Sequence, residues 1–268
     1  MTSSDRLLSI LGLFTEDQST WTVEAAAQAV GVSIPTAYRY FNSLRKVQMI
    51  DPVAGGAYRL GPAFIEMDRR IRTSDPLVTL AGEPMTRLVE AAGGSAVALL
   101  CRRYRDGVMC VARRHGPGPR IPVSYERGLT MPLFRGATSR AVLAYLPTRA
   151  LKRLYAANAE AFAEGGLGAT WDDALATLRA IRKAEVCVSH GQIDPGRVGI
   201  ASAVVGGEGV VGSLSIVVNE KDNTQASIDR LADLVADQAR ALGAALADHD
   251  RTLTGKEDKA GETKGGPP

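Results

Sequence analysis

The stretch MPLFRGATSRAVLAYLP, residues 131–147, holds the residues of this chain best placed to do chemistry. A small-residue turn, Gly136-Ala137, leads into Thr138 and Ser139 and then into an apolar helix, with Arg135 and Arg140 on either side. Glycine lets a backbone or ligand come close, and Thr138 or Ser139 is positioned to cap the helix that follows. Two chemistries fit. Ser139 could be a nucleophile, with His115 or His190 as base and Asp194 as orienter. Alternatively, the free amides of a helix N-terminus, its dipole and the nearby arginines could hold a small anion. The first reading lacks the G-x-S-x-G elbow that exposes a catalytic serine, because GATSRA has no glycine after Ser139. Asp194-Pro195-Gly196 is more simply a turn between strands. No catalytic residue is assigned, and a hydrolase using Ser139 stands as the alternative.

Metal and thiol chemistry find less support. Cys101, Cys110 and Cys187, and His115, His190 and His249, are scattered without C-x-x-C or H-x-x-x-H spacing. This predicts no metal site and no cofactor. The thiols read as buried free cysteines on strands, and a redox role lacks a resolving partner along the chain. At 268 residues, 45% hydrophobic and 23% charged, the composition is that of a soluble globular protein of one or two domains. No apolar run approaches the roughly 18–20 residues of a membrane helix. The opening MTSSDRLLSILGLF lacks a cleavage-like A-x-A, so the expected location is the cytoplasm, with no membrane partner.

Stepping outward, periodicity predicts a helix over 4–14 and a second from Thr22, with Val23, Ala26, Ala27 and Val30 as its apolar stripe and Gly31 as its end. A third runs from Ser33 to about Lys46, with Pro35 in its first turn. Two helices joined by a short turn make a helix-turn-helix. Residues 49–61 read as two extended pieces around Gly55-Gly56, a wing. Helices follow at 63–73 and 76–92, with the domain boundary at Ser74-Asp75-Pro76. Beyond residue 93 the pattern turns to β hairpins, 95–101 with 107–114 and 198–205 with 209–219, and a strand at 186–190. Helices are expected at 138–146, 148–157, 171–184 and 225–247. This is an α+β pattern with a mostly antiparallel sheet. The segment 249–268, nearly free of apolar residues, is predicted to be a disordered tail.

In the third helix, Ala37, Phe41 and Leu44 share an apolar face. Ser33 starts the helix, and Thr36, Arg39 and Asn42 occupy the opposite face, with Tyr38 and Lys46 at its margins. A helix presenting Arg, Asn and hydroxyls suits the base edges of the major groove. Arg45, Lys46 and the wing residue Arg59 are better placed for phosphates. The charge is modest: residues 1–73 carry eight Lys/Arg against seven Asp/Glu, and the whole chain is +3. It is the order of elements, rather than charge, that points to double-stranded DNA.

These blocks resemble the IclR (isocitrate lyase regulator) family of bacterial transcription factors. The residues carrying the resemblance are AAQAVGVSIPTAYRYFNSLRKVQMI and GGAYRLGP at the N-terminal end, then PLFRGATSRAVLAYLP, SHGQIDPGRVGIASAVV and VVGSLSIVV. The resemblance implies a winged helix-turn-helix over 1–61, a linker helix over 62–75 and an effector-binding domain over 76–248 built on a GAF-like sheet. It also implies homodimers, often paired into homotetramers, on palindromic operators. Carried over by position, the effector pocket takes Gly136, Ala137, Ser189, Gly199, Ser215 and Val217. Some members have an acid where Ser189 stands and a cysteine where Gly199 stands, so a roomier, less charged pocket is expected. Ser139-Arg140 replaces the usual Gly-Lys and keeps a cation near the helix start. The function implied is operator binding modulated by a small organic acid, carboxylate or aromatic. A DNA-binding dimer without a ligand is a further alternative.

Overall fold

In a computed structural model describing residues 2–262, Thr2 and Asp5 cap each other reciprocally and start α1 (Ser3–Ser9). The predicted first helix does not stay regular to Phe14. It tightens into a 3-10 turn over Ile10–Leu13, in a stretch where Gly12 weakens an α-helix by about 1 kcal/mol relative to alanine. A two-residue strand not anticipated from the sequence, β1 (Trp21–Thr22), follows. The Thr22 hydroxyl then accepts the Ala25 amide and opens α2 (Val23–Val30). Gly31, at φ 67°, ends α2 in the left-handed conformation that favours glycine. The next helix, α3 (Ile34–Lys46), buries Ala37, Phe41 and Leu44 as expected, and Tyr40 besides. The Tyr40 hydroxyl lies 2.9 Å from Ser3 Oγ, which satisfies a polar tip inside an apolar contact. The wing consists of β2 (Ile50–Pro52) and β3 (Ala57–Leu60), turned by Gly55 and Gly56 at φ 78° and 74°. With β1 it makes an antiparallel sheet in the order β1-β3-β2. The helix after the wing is α4 (Ala63–Ser74).

The chain divides into two compact units, Met1–Asp75 and Pro76–Pro268. In the second unit, the single helix expected over 76–92 is two, α5 (Pro76–Leu80) and α6 (Gly82–Ala92), separated at Ala81. Then come β4 (Ala96–Tyr104), β5 (Gly107–His115), a short unpredicted β6 (Thr130–Pro132), α7 (Ala137–Ala144), α8 (Thr148–Glu164) and α9 (Trp171–Ala184). The last elements are β7 (Cys187–His190), β8 (Arg197–Gly206), β9 (Gly209–Asn219) and α10 (Gln225–Glu262). The six strands form one sheet in the order β6-β5-β4-β9-β8-β7, every ladder antiparallel.

Both faces of this sheet are covered, which explains why β4 reads as an unbroken apolar run rather than an alternating one. Ala96, Ala98 and Leu100 pack with residues of α5, α6 and α10. Their neighbours Val97, Leu99 and Cys101 pack on the opposite face with α7, α8 and α9. The α10 helix runs further than predicted: its backbone is helical through Glu262, well past the expected end near 247. Pairs such as Arg251 with Asp248, one turn apart, support this extension. Of the predicted disordered tail, 249–262 is therefore helical, and 263–268 lie outside the described residues.

Candidate functional site: a reading helix and a small-residue cleft

In the first unit, packing of Ala37, Phe41 and Leu44 inward turns the other face of α3 to solvent. Ser33, Tyr38, Arg39, Asn42, Arg45 and Lys46 are exposed, as is Arg59 on β3, while Thr36 is half-buried. Ser33 does not cap the helix; its hydroxyl lies 2.9 Å from that of Thr36. Tyr38 donates to Glu24 Oε1 at 3.0 Å and is tied back to α2. Glu24's own amide and this phenol hold its carboxyl below the usual range. Arg39 and Asn42 project one turn apart from a packed helix, the disposition needed for bidentate contact with base edges.

In the second unit, α7 starts where the sheet presents β7, β8 and β9. Gly136 takes φ 77° and ψ 151° as the residue before the helix, and a Cβ there would stand 2.8 Å from Ile193 Cγ1. Its amide donates to Gln192 Oε1 at 3.1 Å, and the Ala137 amide donates to Ser189 Oγ at 3.0 Å. Neither Thr138 nor Ser139 caps the helix, contrary to expectation. Both lie inside the first turn and bond across to other elements. Thr138 Oγ1 donates to Ser215 Oγ at 3.1 Å, and Ser139 Oγ lies 3.0 Å from the Tyr125 hydroxyl.

A cleft of about 20 Å³ opens at this point. Of the residues proposed by position, Gly136, Ala137, Ser189, Gly199 and Val217 line it. Ser215 does not: it is fully buried beneath Thr138, and its hydroxyl is bonded there. Two charged residues not proposed by position, Asp194 and Arg197, also line the cleft. Asp194 accepts from the Ser124 amide and, at 2.6 Å, from the Ser124 hydroxyl, so its charge is already answered by one loop. Arg197 donates to Asn219 Oδ1. The expected cations lie elsewhere. Arg140 is buried, donating to the Phe134 carbonyl at 3.4 Å beside Cys187, and burial lowers its pKa. Arg135 donates to the Gln192 carbonyl. Sequence reasoning missed Tyr125, Gln192, Ile193 and Arg197. The signal available for the last three was the turn SHGQIDPGRVG, which joins two strands already assigned to the pocket.

The hydrolase alternative is not assembled. Ser139 is fully buried and bonded to Tyr125, whose own ionisation burial pushes up. His190 Nδ1 lies 2.8 Å from Glu220 Oε1, and Asp194 is bonded to Ser124. One thiol expectation also needs correction. Cys101 and Cys110 lie directly opposite each other on β4 and β5, so a neighbouring thiol exists that spacing along the chain did not show. All three cysteines are buried. Among the described residues, no group of three or more His, Cys, Asp or Glu is arranged to hold a metal. None of the described helices is long and apolar enough to cross a membrane.

A winged helix with an exposed polar reading face, in one chain with an antiparallel-sheet unit enclosing a small polar cleft, defines a DNA-binding transcriptional regulator with an effector-binding unit. The family model for the bacterial transcriptional regulator IclR C-terminal region matches residues 71–244, and that for the IclR helix-turn-helix domain matches 3–51. The chain belongs to the IclR family. Its fold is similar to that of the regulator from Alicyclobacillus acidocaldarius (20% identity, 91% of this chain and 98% of that one, TM-score 0.71). It is equally similar to an IclR-family regulator from Brucella abortus (20% identity, 91% and 92% covered, TM-score 0.70). An IclR homologue from Microbacterium hydrocarbonoxydans, solved with 4-hydroxybenzoate, also matches (18% identity, 91% and 99% covered, TM-score 0.63). A comparison with curated proteins finds no match.

Proposed function

We propose that this regulator binds its operator as a homodimer, pairing further into a homotetramer, and that a small organic acid in the α7 cleft adjusts that binding. The observation that carries the proposal is that Arg197 lines the same cleft as Ala137 and Gly199, a cation beside two positions without bulky side chains. A guanidinium is suited to planar recognition of a carboxylate, and the cleft, about 20 Å³ as it stands, must widen to admit one. The family relative that holds 4-hydroxybenzoate supports an aromatic carboxylate as the first compound to try. In the first unit α3 enters the major groove, with Ser33, Thr36, Tyr38, Arg39 and Asn42 toward the bases and Arg45, Lys46 and Arg59 on phosphates. An effector acts only by binding one arrangement of the dimer better than another.

The test is a thermal-shift screen of the full chain against small aromatic and aliphatic acids, followed by operator titrations with each hit. A hit stabilises by mass action, about 2.7 kcal/mol at a hundredfold excess over Kd. Arg197→Ala is expected to abolish that stabilisation and the change in operator affinity, leaving binding without effector intact. Stabilisation that survives Arg197→Ala would place the ligand elsewhere. Sequence-specific DNA binding with no hit of any kind would favour a regulator whose second unit serves only dimerisation.

A further inference from the structure

The net positive charge of this chain lies outside the unit that carries its reading helix. Met1–Asp75 contains eight Lys/Arg and eight Asp/Glu, so the unit carrying α3 has no net charge. Between Gly93 and Leu154 there are twelve Lys/Arg and two Asp/Glu. Five of those cations lie on two neighbouring segments. Arg103 and Arg105 are exposed at the end of the β4–β5 hairpin, and Arg149, Lys152 and Arg153 are exposed on the first turns of α8. Arg153 Nη2 stands 3.7 Å from Asp106 Oδ1, which brings α8 beside the hairpin end. Asp106 is the only acid on these two segments, and both partners of that pair are about three-quarters exposed. The Arg105 guanidinium lies 5.0 Å above the centre of the Tyr104 ring, itself 38% exposed.

Five cations against one acid on these segments give a locally positive field that attracts a polyanion. Four of the five are arginines, the side chain whose planar fork matches phosphate oxygens. The macromolecular polyanion this family is built to meet is DNA, and the neutral first unit leaves the long-range attraction to be supplied elsewhere. We infer that the β4–β5 hairpin end and the start of α8 form a second, sequence-independent contact for the phosphate backbone of a DNA duplex. The inference rests on the DNA-binding role of the chain.

The test uses full-length protein and a fluorescent duplex of random sequence, with affinity measured by anisotropy between about 50 and 200 mM salt. The variant is Arg103→Ala/Arg105→Ala/Arg153→Ala. The control, Arg179→Ala/Lys183→Ala/Arg230→Ala, removes the same charge from exposed positions outside the patch. Each lost phosphate contact lowers the slope of log K against log salt by about 0.9. The patch variant is therefore expected to lose about 2.7 from the slope, so that the fourfold salt step weakens it roughly forty-fold less than wild type. Arg103→Ala alone should lose about 0.9, and the control should keep the wild-type slope. Equal loss in the control would show an effect of overall charge and overturn the inference. An unchanged slope in the patch variant, with wild type binding normally, would overturn it alone, leave the regulator role standing and turn attention to an acidic protein partner. A wild type that binds no DNA would overturn both.

Discussion

The Ala137 amide donates to Ser189 Oγ at 3.0 Å, joining the first turn of α7 to the middle of β7. With the Gly136 amide bonded to Gln192 Oε1, the first donors of the helix reach the cleft through side chains. The anion site imagined from bare helix amides is thereby replaced by one lined with a hydroxyl, a carboxamide and Arg197. Ser189→Ala would leave a buried N–H without its partner, a loss of about 1–3 kcal/mol. Urea denaturation should show the midpoint lowered with little change in slope, because the area exposed on unfolding is nearly the same.

Gly199 faces that same bond. A Cβ there would sit 3.3 Å from Ser189 Oγ and 3.7 Å from Ala137 Cβ, tight but tolerable. Gly199→Val places two further methyl groups in the cleft while suiting a strand. The expected outcome is loss of effector-induced thermal stabilisation with DNA affinity unchanged. Weakened DNA binding without effector would mean the substitution disturbs more than the cleft.

On the reading face, Arg39 and Arg59 are expected to behave differently. Arg39→Ala should lower discrimination between operator and mismatched duplex by about 1–3 kcal/mol, the range of one bidentate base contact. Arg59→Ala should weaken every duplex alike and reduce the salt slope by about 1. Competition binding with single-base operator variants distinguishes the two patterns, and identical behaviour would contradict the assigned roles.

Burial pushes the Cys187 thiol up to about 11 from an ordinary 9.0, with the nearby Arg140 opposing the shift. Above pH 9 the unfolded chain loses a proton that the folded chain retains. This contribution is thus complete below pH 9 and is lost as pH rises toward 11. The loss is of the order of 2–3 kcal/mol at its limit, at about 1.4 kcal/mol per pH unit. Cys101 and Tyr125 are shifted in the same direction by burial, so wild type keeps an alkaline decline from several groups. The difference in stability between wild type and Cys187→Ala should narrow across this window, and a constant difference would show that Cys187 does not titrate there.

Much of the architecture was legible because it is local. Gly31 after the stripe of α2, Pro35 in the first turn of α3 and Gly55-Gly56 in the wing are short-range signals, and each element formed where its signal lies. The hairpins β4–β5 and β8–β9 followed from apolar runs around turn residues. Less legible were elements whose existence depends on a partner. Two-residue β1 has no pattern of its own and exists because β3 pairs with it. The short β6 likewise exists by pairing with β5. The extension of α10 past 247 lacks the apolar periodicity that would announce it, and local ion pairs do not show in such a pattern.

The site divides in the same way. By itself the sequence determined that α3 would have an apolar face and an opposed polar one, since a 3.6-residue period separates Ala37, Phe41 and Leu44 from Arg39 and Asn42. It also determined a small-residue opening to α7. The tertiary structure alone decided which charges meet that opening. Arg140 turned inward beside Cys187, Arg197 came to the cleft on β8, Ser215 was covered by Thr138, and Asp194 was tied to Ser124, seventy residues earlier. Periodicity assigns a side chain to a face of its own element. What that face meets depends on strand register and on contacts between residues distant in the chain, which no local pattern records.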